Sequence, residues 1–320
     1  MMQDFRTTTV ELFAGIGGFH LAADRAEVKT IWANDSNTKA CKVYRDRFGQ
    51  DELVEADILS VCDEVPAHDL LTAGFPCQPF SAAGKKKGVR DPRGTLFQVI
   101  VDVVQRQQPK FFVLENVKRL LTMEEGFHFA TVLQSLSELN YRVEWRLLNA
   151  MHFGLPQNRQ RVFIIGVKTL ENDRRTGRPV IRLASTEDLR AITTDKLDVL
   201  CDPTTWTTLE MHGKRFPSWG LTQHGSFFGC DLPSFSMASE ITPLNKVLQK
   251  SVDPQFDFTE STLEWISQNT PVNKFIGGVE IISNQEGGAR MGYTIFGIHG
   301  VAPTLTSTTS RHYERYLVGD

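Results

Sequence analysis

Through residue 168 the hydrophobic pattern alternates between two periods. "TTVELFA" (8–14) reads as a buried strand, and "FHLAADRA" (19–26) has helical spacing. The pair repeats, with "KTIWAN" (29–34) as a strand and "SNTKACKVYRDRF" (36–48) as a helix. "HDLLTAG" (68–74) is another strand, followed by "LFQVIVDVVQRQQ" (96–108), a helix whose Leu96, Ile100, Val103 and Val104 fall on one side. "FFVLEN" (111–116) reads as a strand and "FATVLQSLSEL" (129–139) as a helix, and "YRVEWRLLNA" and "RVFIIGV" close the series as strands. Strands alternating with helices of this length predict an α/β fold with right-handed crossovers and a mostly parallel sheet. In such a sheet ligands bind at the carboxyl ends of the strands.

After Thr169 the pattern changes. Helical periodicity fades, and Gly, Pro, Thr, Trp and Phe mix in "DPTTWTTLEMHGKRFPSWGLTQHGSFFGCDLP" (202–233). "LNKVLQK" and "TLEWISQN" read as short helices. The sequence therefore predicts one domain over 1–170 and a second, loop-rich domain over 171–320, of the kind that suits a surface reading something irregular.

Composition narrows the class. The 320 residues are 41% hydrophobic, enough for a sizeable core, and no run is apolar enough to span a bilayer. "MMQDFRTTTVELF" lacks the charged start and long apolar stretch of a signal peptide. Five cysteines (Cys41, Cys62, Cys77, Cys201, Cys230) form no CxxC pair, which points to neither zinc nor a disulfide framework. A reduced, cytoplasmic protein is expected. The net charge of −3 lowers the expectation of a nucleic-acid binder. Local patches matter more: "KKKGVRDPR" (85–93) holds five cations against one anion. A second basic run, 159–182, holds Arg159, Arg161, Lys168, Arg174, Arg175, Arg178 and Arg182. Such runs are either solvated faces or phosphate contacts.

Four features carry candidate chemistry. "LFAGIGGF" (12–19) joins a strand to a helix, and Gly15, Gly17 and Gly18 allow a tight turn and close approach of a ligand. This fits a dinucleotide site, an S-adenosylmethionine site or a packed turn. Asp35 ends the second strand and is either a ribose ligand or part of a helix cap. Cys77 stands between two prolines in "GFPCQPFS", at the carboxyl end of a strand and ahead of a Gly- and Lys-rich loop. A buried structural cysteine accounts for neither the prolines nor the loop; a thiolate nucleophile with a closing basic lid accounts for both. Glu115 in "LENV" also ends an apolar strand, where partial desolvation favours the neutral, donating carboxyl. Arg159 and Arg161 in "PQNRQRV" alternate by two on an extended segment, so both face one side. A salt-bridged strand edge is the competing reading.

Taken in order, these motifs resemble the cytosine-5 DNA methyltransferases of restriction-modification systems. "FAGIGGF" resembles that family's cofactor motif and "GFPCQPFS" its nucleophile motif; "DPRGTLF", "ENV" and "QNRQR" follow in order, and "VAPTLTSTTSRHYERYLV" resembles the end of its target-recognition region. The resemblance implies a Rossmann-like S-adenosylmethionine-dependent methyltransferase sheet with a smaller, irregular target-recognition domain. It implies methyl transfer from S-adenosyl-L-methionine to carbon 5 of a flipped-out cytosine in double-stranded DNA, leaving S-adenosyl-L-homocysteine. Cys77 takes the nucleophile's place, Glu115 donates to ring nitrogen 3, and Arg161, supported by Arg159, holds the oxygen at position 2. Phe13, Gly15, Gly17, Gly18, Asp35, Asp57, Ile58, Pro76 and Leu96 fall around the cofactor. Ser81, Lys85, Lys86, Lys87, Arg93 and Thr304 fall against DNA. No metal is implied.

Two departures stand out. Where the family has Glu followed by a bulky apolar residue, this chain has Asp35 and Ser36, which weakens stacking on the adenine. The family's closing arginine-and-leucine motif and final helix do not follow "YLVGD", so a second polypeptide or a C-terminal extension is expected to supply them. The alternatives are the same chemistry on transfer RNA, whose enzymes carry a Cys-Phe-Thr signature absent from this sequence, and a DNA-binding fragment inactive without a complementing chain.

Overall fold

The alternation of the first half builds one large sheet in the computed structural model. The structure describes residues 7–76, 96–169, 183–185, 188, 190–210, 212–238, 240–249, 251, 253–254, 257–268, 272–284, 294–305 and 315–317. Strands β1 (Thr8–Leu12), β2 (Lys29–Asp35), β3 (Leu53–Glu55), β4 (Leu70–Ala73) and β5 (Phe111–Val117) pair in parallel, in the order β3-β2-β1-β4-β5. Beyond β5 come β7 (Gln160–Lys168) and β6 (Tyr141–Asn149). Then β9 (Trp219–Gln223), β10 (Ser226–Cys230) and β8 (Thr207–Thr208) complete ten strands. β7 runs antiparallel to β5, β9 to β6, and β10 to both β9 and β8, so the sheet is parallel from β3 to β5 and takes up antiparallel pairing beyond it. The fold is α/β and Rossmann-like.

The helices begin where the chain offers caps. α1 (Gly18–Arg25) opens directly from the glycine loop. The helix expected from residue 36 starts two residues later, as α2 (Thr38–Phe48), because Asn37 caps it by accepting from the amides of Lys39 and Ala40. α3 (Ile58–Val61) is capped by Asp57. α4 (Leu96–Gln107) buries Phe97, Val99, Ile100, Val101, Val103 and Val104, a wider face than the sequence suggested. α5 (Phe127–Ser137) is buried along most of its length. Leu12, Leu71, Ile100, Phe112 and Leu114 are fully buried at the centre of the core.

The chain divides into two compact units, Met1–Leu147 with Arg161–Pro233, and Leu148–Gln160 with Ser234–Asp320. The boundary expected at 170 lies outside the described residues. Aromatic packing shows why 212–233 joins the first unit: Phe129 meets Trp145 and Phe216 edge to face, at centroid distances of 5.4 and 5.0 Å. A buried polar network adds to it. Arg146, 1% exposed, makes two hydrogen bonds to Asp188, at 3.0 and 3.1 Å, and donates to the carbonyls of Leu183 and Pro233. Glu144 accepts from Trp219 Nε1 and the Leu183 amide. A helix that the pattern had not singled out, α6 (Thr194–Cys201), also belongs to this unit.

The second unit holds a four-stranded sheet, β11 (Lys274–Ile276), β12 (Val279–Asn284), β13 (Thr294–Phe296) and β14 (Arg315–Tyr316), in that order. "TLEWISQN" lies largely within α7 (Glu260–Gln268), while "LNKVLQK" gives only a short turn at Leu244–Lys246. Among the described residues no helix is long and apolar enough to cross a membrane.

Candidate active site

The carboxyl ends of β1, β2, β4 and β5 lie side by side, and Gly15, Asp35, Gly74 and Glu115 stand at or near them. β1 leaves the sheet through Phe13 and Gly15, both with positive φ (56° and 58°), and Gly17 (φ 83°) precedes α1. Gly17 is required for space as well as for φ, since a Cβ there would overlap the Phe48 ring. At Gly15 and Gly18 an added Cβ meets nothing within 4 Å, so the backbone is open on that side.

Asp35 braces this loop. Its Oδ2 accepts from the Gly15 amide at 2.8 Å and its Oδ1 from the Asn37 amide at 2.7 Å. The carboxylate therefore ties the end of β2 to both the glycine loop and the cap of α2. Of the other residues expected around a cofactor, Phe13 packs partly against the core and Asp57 is exposed, capping α3 through the Leu59 amide. Ile58 is 3% exposed within the core. Pro76 is exposed and Leu96 is half-buried in the first turn of α4.

Glu115, near the end of β5, meets Arg161 at the start of β7: Arg161 Nε donates to Glu115 Oε1 at 2.8 Å. Antiparallel register makes this possible. Arg161 is opposite Val117, which sets its long side chain within reach of a carboxylate two residues back. Glu115 also lies beside the exit of β4. A Cβ added to Gly74 would come within 3.9 Å of Glu115 Oε2 and 3.8 Å of the Phe13 carbonyl. Gly74 is three residues before Cys77.

Asn116 is a residue that sequence reasoning passed over. It is 1% exposed, and its Nδ2 donates to the Phe75 carbonyl at 2.9 Å while its Oδ1 accepts from the Val117 amide. It thereby pins the segment that leads to Cys77. The available signal was an asparagine inside an otherwise apolar strand, which needs buried partners. Phe75 itself packs on Phe97, 5.3 Å between centroids.

Cys77, Ser81, Lys85, Lys86, Lys87 and Arg93 lie outside the described residues. Arg159 belongs to the second unit, where its amide donates to Asn149 Oδ1. Thr304, also in the second unit, donates its hydroxyl to the Asn158 carbonyl at 2.8 Å. The structure thus brings Glu115, Arg161, Gly74 and the glycine loop together within one unit.

The sequence profile of the C-5 cytosine-specific DNA methylases matches residues 7–220. The chain belongs to this family. It is 44% identical over 158 residues to the Type II methyltransferase M.NgoBI of Neisseria gonorrhoeae, covering 49% of this chain and 50% of that protein. It is 41% identical over 157 residues to the Type II methyltransferase M.HhaI of Haemophilus parahaemolyticus, covering 49% of this chain and 47% of that one. The chain spans about half the length of these curated relatives. Among solved structures, the Dnmt2 methyltransferase of S. pombe shares its fold, with a TM-score of 0.58 at 18% identity over 98% of this chain and 78% of that one.

Proposed function

We propose that this chain transfers a methyl group from S-adenosyl-L-methionine to carbon 5 of a cytosine flipped out of double-stranded DNA, with Cys77 as nucleophile. The Glu115–Arg161 pair carries the reading. It joins an acid and a cation beside the strand exit that leads, three residues on, to a cysteine.

The residues fit the cofactor. The open backbone at Gly15 and Gly18 suits close approach of a polar ligand, and the strand exits around it form the ligand edge of a Rossmann-like sheet. Phe13, Gly15, Gly17, Gly18, Asp35, Asp57, Ile58, Pro76 and Leu96 are proposed to hold it. When bound, the cofactor supplies an electrophilic methyl group on a positively charged sulfur.

The remaining steps belong to this chain's own side chains. The Cys77 thiolate adds to carbon 6, and electron density moves into the ring. Glu115 gives a proton to nitrogen 3, and Arg161, with Arg159, stabilises the oxygen at position 2, so that density is not left as a free carbanion. Carbon 5 takes the methyl group. Loss of its remaining proton to water re-forms the double bond between carbons 5 and 6 and expels the thiolate, and nitrogen 3 returns its proton to Glu115. Flipping the base costs a few kcal/mol. Ser81, Lys85, Lys86, Lys87, Arg93 and Thr304 are proposed to hold the DNA, with the residues after 170 reading its sequence.

An oligonucleotide carrying 5-fluorocytosine at the target position tests the proposal, because fluorine does not leave as a proton does. With cofactor present, the wild type is expected to form a complex that survives a denaturing gel, and Cys77→Ser is expected to form none. Methyl transfer that persists in Cys77→Ser overturns the mechanism.

A further inference from the structure

Glu11 is a buried acid that the proposed chemistry does not use. It lies in the middle of a parallel sheet, on β1, between Ala33 of β2 and Thr72 of β4, and is 1% exposed. Its Oε1 accepts from the Phe19 amide at 3.2 Å, and the His20 backbone also donates to the carboxyl. These donors are the first-turn amides of α1. The N-cap of that helix is Gly17, which has no side chain to satisfy them. Glu11 therefore caps α1 from a neighbouring strand. The turn that joins its strand to that helix carries the open backbone of Gly15 and Gly18.

Its other oxygen is unmatched. Oε2 is buried with no hydrogen-bond partner among the described residues. A buried carboxylate with a bare oxygen is costly, and a neighbouring cation would relieve it. Among the described residues the groups around it supply none. Asp35, on β2, adds negative charge. His20, on α1, is pushed down by burial and stays neutral near pH 7, with its Nδ1 2.6 Å from Tyr44 Oη on α2. Tyr44 is pushed up by burial and keeps its proton. The β4 neighbour, Thr72, is uncharged and directs its hydroxyl to the Val10 carbonyl. Burial accordingly pushes the Glu11 carboxyl up to about 8, against the pull of the two amides, with the Asp35 charge adding to the rise.

We propose that Glu11 is a positioning residue for the glycine loop, and that it holds the loop in its binding conformation only while its carboxyl carries a proton. The inference rests on reading that loop as the S-adenosylmethionine site. Neutral Glu11 keeps a carbonyl oxygen on the Phe19 amide and no buried charge. Ionised Glu11 requires water at the buried Oε2, and admitting it disturbs the first turn of α1 that Oε1 holds, and with it the Phe13–Gly18 turn that runs into that helix. By linkage, binding that closes the loop also draws a proton onto Glu11.

The test is calorimetric titration of the full 320-residue chain with S-adenosyl-L-homocysteine between pH 6.5 and 9.5, in phosphate and in Tris. Affinity of the wild type is expected to be flat at low pH and to fall by about tenfold per pH unit above the carboxyl's titration. The two buffers are expected to give different apparent enthalpies, because a proton is taken up. Glu11→Gln, which keeps the carbonyl and the shape, is expected to bind with no such fall and no proton uptake. Glu11→Ala loses the cap and is expected to bind weakly at every pH. The wild-type buffer comparison needs no variant, so it stands if Glu11→Gln folds poorly. Equal enthalpies in both buffers above pH 8, or the same pH profile in Glu11→Gln as in the wild type, overturns the proposal. No binding by the wild type at any pH overturns the cofactor reading itself, and this inference with it.

Discussion

The side-chain amide of Asn116 donates to the backbone carbonyl of Phe75 at 2.9 Å, tying β5 to the chain two residues before Cys77. Removing that tie loosens the segment that leads to the proposed nucleophile without touching the glycine loop. Asn116→Ala is expected to lower kcat by about a hundredfold, the order that a misplacement of about 1 Å costs, with the affinity for S-adenosylhomocysteine unchanged. Single-turnover kinetics and calorimetry on the same preparation check both halves. An unchanged kcat removes Asn116 from the site.

The Glu115–Arg161 contact separates acid function from mere charge pairing. Glu115→Gln keeps an amide that can face Arg161 but supplies no titrating proton. The methylation rate is expected to fall by about a hundredfold or more. Arg161→Lys keeps the charge but removes the Nε donor, and is expected to lose rate as well. A Glu115→Gln variant at full rate assigns Glu115 to the architecture alone.

Replacing Lys85, Lys86 and Lys87 with Ala should weaken binding to all DNA sequences alike. The slope of log affinity against log salt should flatten by up to about 0.9 for each phosphate that is no longer neutralised. Filter binding on two unrelated duplexes at several salt concentrations measures this. A weakening confined to one sequence shows that these lysines read bases.

The Arg146–Asp188 pair gives a stability prediction with a pH sign. Burial pushes the Asp188 carboxyl up, but the hydrogen bonds from Arg146 and from Ser185 outweigh it and hold the carboxyl below its ordinary value. A lowered carboxylate stabilises the fold fully above the ordinary aspartate range, and that contribution is lost as pH falls through the lowered value. Arg146→Ala leaves the carboxylate buried and unpaired, at a cost of about 3–5 kcal/mol at neutral pH. Thermal melts at pH 7 and pH 3 are expected to show a smaller difference between wild type and variant at the lower pH.

The parts of the candidate site that were legible are local. The glycine loop and the strand-end position of Glu115 are written in stretches of a few residues. The Glu115–Arg161 contact was not, because it depends on β7 running antiparallel beside β5, across more than forty positions. The sequence alternation suggested a mostly parallel sheet, and β5 is where that pattern ends. Asp35 was legible as a strand-end acid with two readings. The structure commits both oxygens to backbone amides, and only the neighbouring elements could reveal that. Glu11 was read as part of a buried strand because its partners are the amides of the next helix, which have no sequence signature. Phe216, Trp219 and Phe227 looked like members of an irregular second domain; they pack with Phe129, Trp145 and Glu144 because aromatic burial acts across any separation in sequence.

The pairing of β6 with β9 has a consequence during synthesis. Val143 is bonded opposite Thr222, so some eighty residues must leave the ribosome before that edge of the sheet is covered. Until then the nascent chain presents an open strand carrying Val143 and Trp145, the kind of edge that recruits other chains. Expression of a fragment ending near residue 170 would make that transient exposure permanent, and it is expected to collect in inclusion bodies.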